Sequence, residues 1–192
     1  MARLIGEIPL ELTKAEQVLY EFLSKELPDY ITIGIHIMID GFEMDAVLLV
    51  PHMGVFILEV RNGGELTYRE GRLYINDRMG GTRVFRPEQT KMYRYQMKRY
   101  MHQHFHINPL VYELNCFPLL RIQKDALEKM QGMENHFLFQ EDFADTRTFL
   151  LKLFKFYTAS AHLGPSDTRR ENDPVFYDDL DDEAVFEITG CW

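Results

Sequence analysis

The sequence lacks most of the features that mark secreted, membrane-spanning and disulfide-rich proteins. Its two cysteines, Cys116 and Cys191, provide neither a disulfide framework nor the ligand spacing of a zinc site. Its longest apolar runs, such as Ala46–Val50, are far shorter than the roughly 18 residues of a membrane span. The first residues contain no apolar signal-peptide segment, so secretion is not expected. These absences favour a cytoplasmic protein with no membrane partner.

Little net charge remains in the chain once its C-terminal segment is set apart. The total is −9, but residues 165–192 hold nine acidic and two basic residues and account for −7 of it. Residues 86–106 instead carry five basic residues against one acidic residue. Such a local excess can bind phosphate even in an acidic chain. We therefore expect one domain over residues 1–163, followed by a peripheral acidic tail over residues 164–192.

Hydrophobic periodicity predicts alternating helices and strands. A helix over residues 14–26 begins with the capping-box spacing of Thr13 and Glu16, and alternating isoleucines predict a strand over residues 31–39. The same patterns predict further strands over residues 43–50, 55–61, 66–69, 73–75, 110–120 and near 137, and helices over 87–104, 125–131 and 146–161. This order favours an α/β fold in which helices flank a mixed sheet.

Two acidic residues fall on neighbouring predicted strands. Glu59 interrupts an apolar strand, which costs free energy unless a cation or hydrogen bonds satisfy the carboxylate. Glu59 and Arg61 share a face because residues two apart point the same way. A three- or five-residue connection would put Asp45 on that face as well, whereas a four-residue connection would put it on the opposite face. Two convergent carboxylates are typical ligands of Mg²⁺.

These residues resemble the PD-(D/E)XK nuclease superfamily and, more closely, its nuclease-related domain (NERD) family. The pattern consists of an early acidic residue in the first helix, Glu16, then Asp45, the segment Gly54–Arg61 and the helix opening Pro87–Gln89. It covers residues 10–104, about half of the chain. The resemblance implies a restriction-endonuclease-like fold, with a mixed central sheet flanked by helices and a helical C-terminal part.

The resemblance also implies a function, namely metal-dependent hydrolysis of DNA phosphodiester bonds in processing, repair or defence. Asp45, Glu59 and the carbonyl of Val60 would bind Mg²⁺ or Mn²⁺. Glu16 would bind a water or a second metal ion, although its capping box is a complete local explanation, and Gln89 would orient the site. The sequence leaves open a homodimer or a larger multidomain assembly.

Arg61 departs from the family pattern. It stands where the family has a lysine that is thought to position or deprotonate the attacking water. A guanidinium stays protonated at any working pH, so Arg61 can contact the scissile phosphate but cannot act as a base. One alternative is therefore a catalytically weakened or inactive nuclease-derived module that binds nucleic acid. Another is an interaction domain with a vestigial pocket.

The second long helix combines amide, aromatic and basic side chains. Gln89 and Tyr93 fit a Gln-x-x-x-Tyr motif found in RecB-type nucleases, and Lys91, Arg94 and Lys98 lie on another face. Stacking aromatics beside cations suit a DNA backbone and its bases. We expect Lys91, Tyr93, Arg94 and Lys98 to contact DNA. A tyrosine packed in the core and a plain solvated cationic face are the alternatives.

Overall fold

The structure is a computed structural model that describes residues 2–5, 9, 11–70, 72–76, 81–85, 88–121 and 136–161. The helices of this part are α1 (Lys14–Glu26), α2 (Glu88–Phe105), a 3-10 helix (Gln140–Phe143) and α3 (Thr146–Ala161). Its strands are β1 (Arg3–Ile5), β2 (Thr32–Ile39), β3 (Phe42–Val50), β4 (Gly54–Val60), β5 (Glu65–Arg69), β6 (Arg72–Asn76), β7 (Thr82–Val84), β8 (Val111–Phe117) and β9 (Phe137–Phe139). The helix predicted over residues 125–131 and the acidic tail lie outside the described residues.

A mixed six-stranded sheet forms the centre of the fold, in the order β1-β2-β3-β4-β8-β9. The pairs β2–β3 and β3–β4 are antiparallel, whereas β1–β2, β4–β8 and β8–β9 are parallel. Strands β5, β6 and β7 form a second, antiparallel sheet. The predicted α/β fold with a mixed central sheet is confirmed. Strands β1 and β7 were not predicted from the sequence.

Helices cover both faces of the central sheet. Leu23 of α1 and Phe149 of α3 pack in one core cluster with Phe56 of β4. On the other face, Met97 of α2 packs in a cluster with Ile57 of β4. Successive residues of β4 therefore alternate between the α1–α3 face and the α2 face, as a strand requires. This alternation places the odd-numbered residues at the end of β4 on the α2 face.

Gly54 opens β4 at a point where no side chain fits. Its φ is +118°, and a Cβ at this position would collide with the carbonyl oxygen of Leu110. That oxygen accepts the N–H of Val55 at 2.8 Å. The close approach starts the parallel pairing of β4 with β8, which places Glu59 beside Asn115 and ends with Val60 beside Cys116. Gly54 thereby positions the polar end of β4 against β8.

Candidate active site

The connection between β3 and β4 decides whether the two acidic residues meet. Three residues, 51–53, join these strands. The antiparallel pairing runs as far as Ala46 opposite Leu58. The same register continued by one residue would bring Asp45 to Glu59. This register is the one expected for a three-residue connection, and it brings the two carboxylates to the same end of the β3–β4 pair.

The alternation of faces breaks at one point of β2. Ile35 packs in the cluster of the α1–α3 face, whereas Ile37, two residues later, packs against the cluster of the α2 face. The residue between them, His36, has a φ of +50°, in the left-handed region that few side chains adopt. In the β2–β3 register His36 falls opposite Asp45. Asp45 therefore lies where the sheet is locally distorted.

Asp45 spans the gap that opens where β3 and β4 stop pairing. Its Oδ2 accepts the backbone N–H of Val60 at 2.6 Å. The carbonyl of Val60 faces the same gap, because the N–H and C=O of one strand residue point to the same neighbouring strand. Tyr20 of α1 donates its hydroxyl to the carbonyl oxygen of Asp45 at 2.9 Å. We call the group formed by Asp45, Glu59 and Val60 the β3–β4 fork.

Glu59 is buried, and one of its two carboxylate oxygens has no hydrogen-bond partner among the described residues. Glu59 is only 8% exposed, and its Oε1 lies 3.3 Å from Nη1 of Arg61. Its Oε2 is buried and has no hydrogen-bond partner among the described residues. Burial first, and then the charge of Asp45, raises the pKa of Glu59 to about 7. Burial also raises the pKa of Asp45, although the hydrogen bond from Val60 opposes this shift.

Arg61 is held on three sides. Besides its ion pair with Glu59, its Nε donates to Oδ1 of Asn115 at 3.1 Å, and its guanidinium lies 5.8 Å from the ring centre of Phe85. Asn115 belongs to β8 and is 1% exposed. The sequence patterns missed Asn115 because it lies 54 residues from Arg61. The available signal was its polar side chain in an apolar strand, the same signal that marks Glu59.

The two remaining expected site residues lie on helices, Glu16 on α1 and Gln89 on α2. The Oε2 of Glu16 accepts the N–H of Thr13 at 2.6 Å and completes a capping box. The charge of Glu16 nevertheless raises the pKa values of Asp45 and Glu59, so it lies within electrostatic reach of both. Gln89 belongs to α2, but its side chain lies outside the described part of the structure.

The aromatic contact expected on α2 requires a correction. Tyr93 is only 8% exposed and packs edge-on against Phe42 in the core of the α2 face. Its ring is therefore not free to stack on a base. Tyr95 is 59% exposed on the same helix, and the guanidinium of Arg94 lies 5.8 Å from its ring centre. Tyr95, which the motif did not single out, is an exposed aromatic side chain of α2 that a ligand can reach.

The cationic side of α2 approaches the fork through β8. Nη1 of Arg94 is 3.6 Å from Oε2 of the buried Glu113. Glu113 and Asn115 are two residues apart on one strand, so both face α2. The charge of Lys91 also lowers the pKa of Glu113, against the larger effect of burial. Lys91 and Lys98 are both exposed. The expected phosphate contacts thus lie on α2, which reaches β8 through the Arg94–Glu113 pair; they are Lys91, Arg94 and Lys98.

The fork offers a small set of oxygen ligands, which are the kind that a hard divalent cation binds. The described residues contain no group of three or more His, Cys, Asp or Glu side chains that could hold a metal ion. Two carboxylates and the Val60 carbonyl would leave further positions to water, as Mg²⁺ prefers. The buried and unpartnered Oε2 of Glu59 is the observation that fits such an ion, because a cation would satisfy it.

We expect Glu59→Gln to remove a pH dependence of stability. A carboxyl group whose pKa is raised by folding stabilises the protein below its unfolded pKa, and this contribution is lost as pH rises through the folded value. The pKa of Glu59 is raised from 4.5 to about 7. Through this group the metal-free wild type should lose up to about 3 kcal/mol of its free energy of unfolding between roughly pH 4 and pH 8. Glu59→Gln should match the wild type at pH 4 and exceed its melting temperature at pH 8.

Thermal unfolding across this pH range, with a chelator present, measures the effect. Glu21→Gln is the matched control, since Glu21 is an exposed carboxylate on α1. Parallel pH profiles for the wild type and Glu59→Gln would show that Glu59 does not titrate as its burial requires.

No helix in the part of the chain that the structure describes is both long and apolar enough to cross a membrane. Comparisons with protein-family models, with curated proteins and with solved structures find no match to this chain.

Proposed function

We propose that this protein is a metal-dependent nuclease that hydrolyses DNA phosphodiester bonds, with a restriction-endonuclease-like fold related to the NERD family. The observation that carries the proposal is the β3–β4 fork, in which Oδ2 of Asp45 accepts the N–H of Val60, the neighbour of Glu59, and Oε2 of Glu59 is buried without a partner among the described residues. A buried, unpartnered carboxylate oxygen lowers stability. A divalent cation would offset that cost and would also supply the chemistry.

The roles at the fork follow from its contacts. Asp45, Glu59 and the Val60 carbonyl would hold Mg²⁺ or Mn²⁺. A bound cation supplies Lewis-acid polarisation of the phosphate and a more acidic water. Arg61, fixed beside Glu59, would stabilise negative charge on the scissile phosphate through its remaining N–H donors. Since Arg61 cannot accept a proton, the chain has no base at this position.

Residues farther from the fork would position the DNA. Lys91, Arg94 and Lys98 would contact backbone phosphates, which gives a binding affinity that falls with salt. Tyr95 replaces Tyr93 as the candidate for stacking on a base. Glu16 would bind a water at the edge of the fork, and Gln89 would orient the site.

A nuclease-derived binding module is the second candidate. It is favoured by the contacts of Arg61 with Glu59, Asn115 and Phe85, which hold a permanent positive charge where the family has a base. Such a site can grip a phosphate without activating water. The two candidates share DNA binding and differ in whether a cation makes the protein cut.

Incubation of supercoiled and linear DNA with the full chain tests the proposal. We expect cleavage with Mg²⁺ or Mn²⁺ and none with a chelator. Salt-dependent DNA binding without cleavage under any of these conditions would favour the binding module. Neither binding nor cleavage would contradict both candidates and favour an interaction domain.

A further inference from the structure

Asn115 is the buried polar residue next to Glu59 on the neighbouring strand. In the parallel pairing of β4 with β8, Glu59 lies beside Asn115. Asn115 is 1% exposed, and its Oδ1 accepts the Nε–H of Arg61 at 3.1 Å. Burying an amide costs free energy unless its polar atoms are paired. The hydrogen bond with Arg61 offsets part of that cost for Asn115.

Arg61 approaches one carboxylate oxygen of Glu59, Oε1, while the other, Oε2, has no hydrogen-bond partner among the described residues. A guanidinium tends to bind a carboxylate through two parallel hydrogen bonds, which occupies both carboxylate oxygens. Here Nε donates to Asn115, and Nη1 lies 3.3 Å from Oε1 of Glu59. Oε2 of Glu59 stays without a partner among the described residues. The ring of Phe85 near the guanidinium further restricts its rotation.

We propose that Asn115 is a positioning residue that holds Arg61 on Oε1 of Glu59 and so keeps Oε2 for the divalent cation. This inference rests on the proposed function, because it assumes a cation at the fork. Without the acceptor of Asn115, the Nε–H of Arg61 is released to join an Nη–H in a side-on pair that binds both oxygens of Glu59. The arginine then competes with the cation for the same carboxylate.

Binding of Mn²⁺ to the full chain in the absence of DNA tests this role. Asn115→Leu keeps the approximate size of the side chain and removes the acceptor, whereas Asn115→Asp keeps an acceptor for Arg61. We expect Asn115→Leu to weaken Mn²⁺ binding by about tenfold, a size typical of coupled contacts. Asn115→Asp should bind Mn²⁺ at least as tightly as the wild type.

A double-mutant cycle separates positioning from a merely structural effect. In an Arg61→Met background the competing guanidinium is absent, so Asn115→Leu should no longer change Mn²⁺ affinity. An equal loss with and without Arg61 would overturn the proposal. If Asn115→Leu does not fold, Asn115→Ser replaces it, because the serine side chain is too short for its hydroxyl to reach Nε of Arg61. The same outcomes then support or overturn the proposal.

The NMR signal of the Arg61 Nε–H reports on the same contact without any metal ion. It should be protected from exchange in the wild type and in Asn115→Asp, and lose that protection in Asn115→Leu. If the wild type binds no Mn²⁺, the proposed function fails, while this signal still decides whether Asn115 holds Arg61. If Mn²⁺ binds equally well to the wild type and Asn115→Leu, the proposed function stands and the role of Asn115 is overturned.

Discussion

Arg61→Lys should raise the rate of DNA cleavage by about 10²-fold at neutral to mildly alkaline pH. A guanidinium cannot accept a proton at any working pH, whereas burial and neighbouring groups can tune the pKa of a lysine towards neutrality. General-base help is worth roughly 10²- to 10⁴-fold. We expect the lower end, because Asn115 and Phe85 are arranged around the shape of a guanidinium.

Single-turnover cleavage rates of the wild type and Arg61→Lys, with Mg²⁺ and with Mn²⁺, measure this gain. The same substitution combined with Asp45→Asn should show no gain, because the cation site is then incomplete. Arg99→Lys is the matched control, since Arg99 lies on α2 and pairs with the exposed Asp40. Unchanged DNA binding with no cleavage in any of these variants would contradict the nuclease and favour the binding module.

Asp45→Asn should lower cleavage by about 10³-fold and leave the fold intact. An asparagine oxygen can still accept the Val60 N–H, so the contact that closes the gap between β3 and β4 is kept. The substitution removes one of the two negative charges that would bind the cation, and losing one preorganised electrostatic contact commonly costs 10²- to 10³-fold in rate. Loss of the cation itself adds to this effect.

Cleavage, Mn²⁺ binding and thermal unfolding of Asp45→Asn together check this prediction. Burial raises the pKa of Asp45, so a neutral amide should leave the melting temperature of the metal-free protein at pH 8 equal or higher. Asp40→Asn, on the exposed turn after β2, is the control that should change none of the three. Cleavage at the wild-type rate in Asp45→Asn would eliminate the β3–β4 fork as the active site.

The sequence by itself determined the elements whose cause is local. Thr13 and Glu16 predict the start of α1 because a capping box needs only four consecutive residues, and the structure forms it. Glu59 and Arg61 share a face because alternation along one strand requires no partner. Phe56 and the other even-numbered residues of β4 pack towards α1 and α3 for the same reason. The resemblance to the nuclease family also comes from the sequence alone and stays a prediction.

Only the tertiary structure decided what depends on pairing between distant segments. The three-residue connection sets the β3–β4 register, which brings Asp45 to the same end of the strand pair as Glu59. A shift of one residue would have changed the face of every side chain on one strand. Asn115 meets Arg61 because β8 returns parallel to β4 after a long crossover, which no local pattern records. Tyr93 is buried while Tyr95 is exposed because the contact of α2 with the sheet, and not a motif, sets which side of the helix faces the core. Local rules act within a few residues, whereas a site assembled from three strands and a helix depends on how those elements pack.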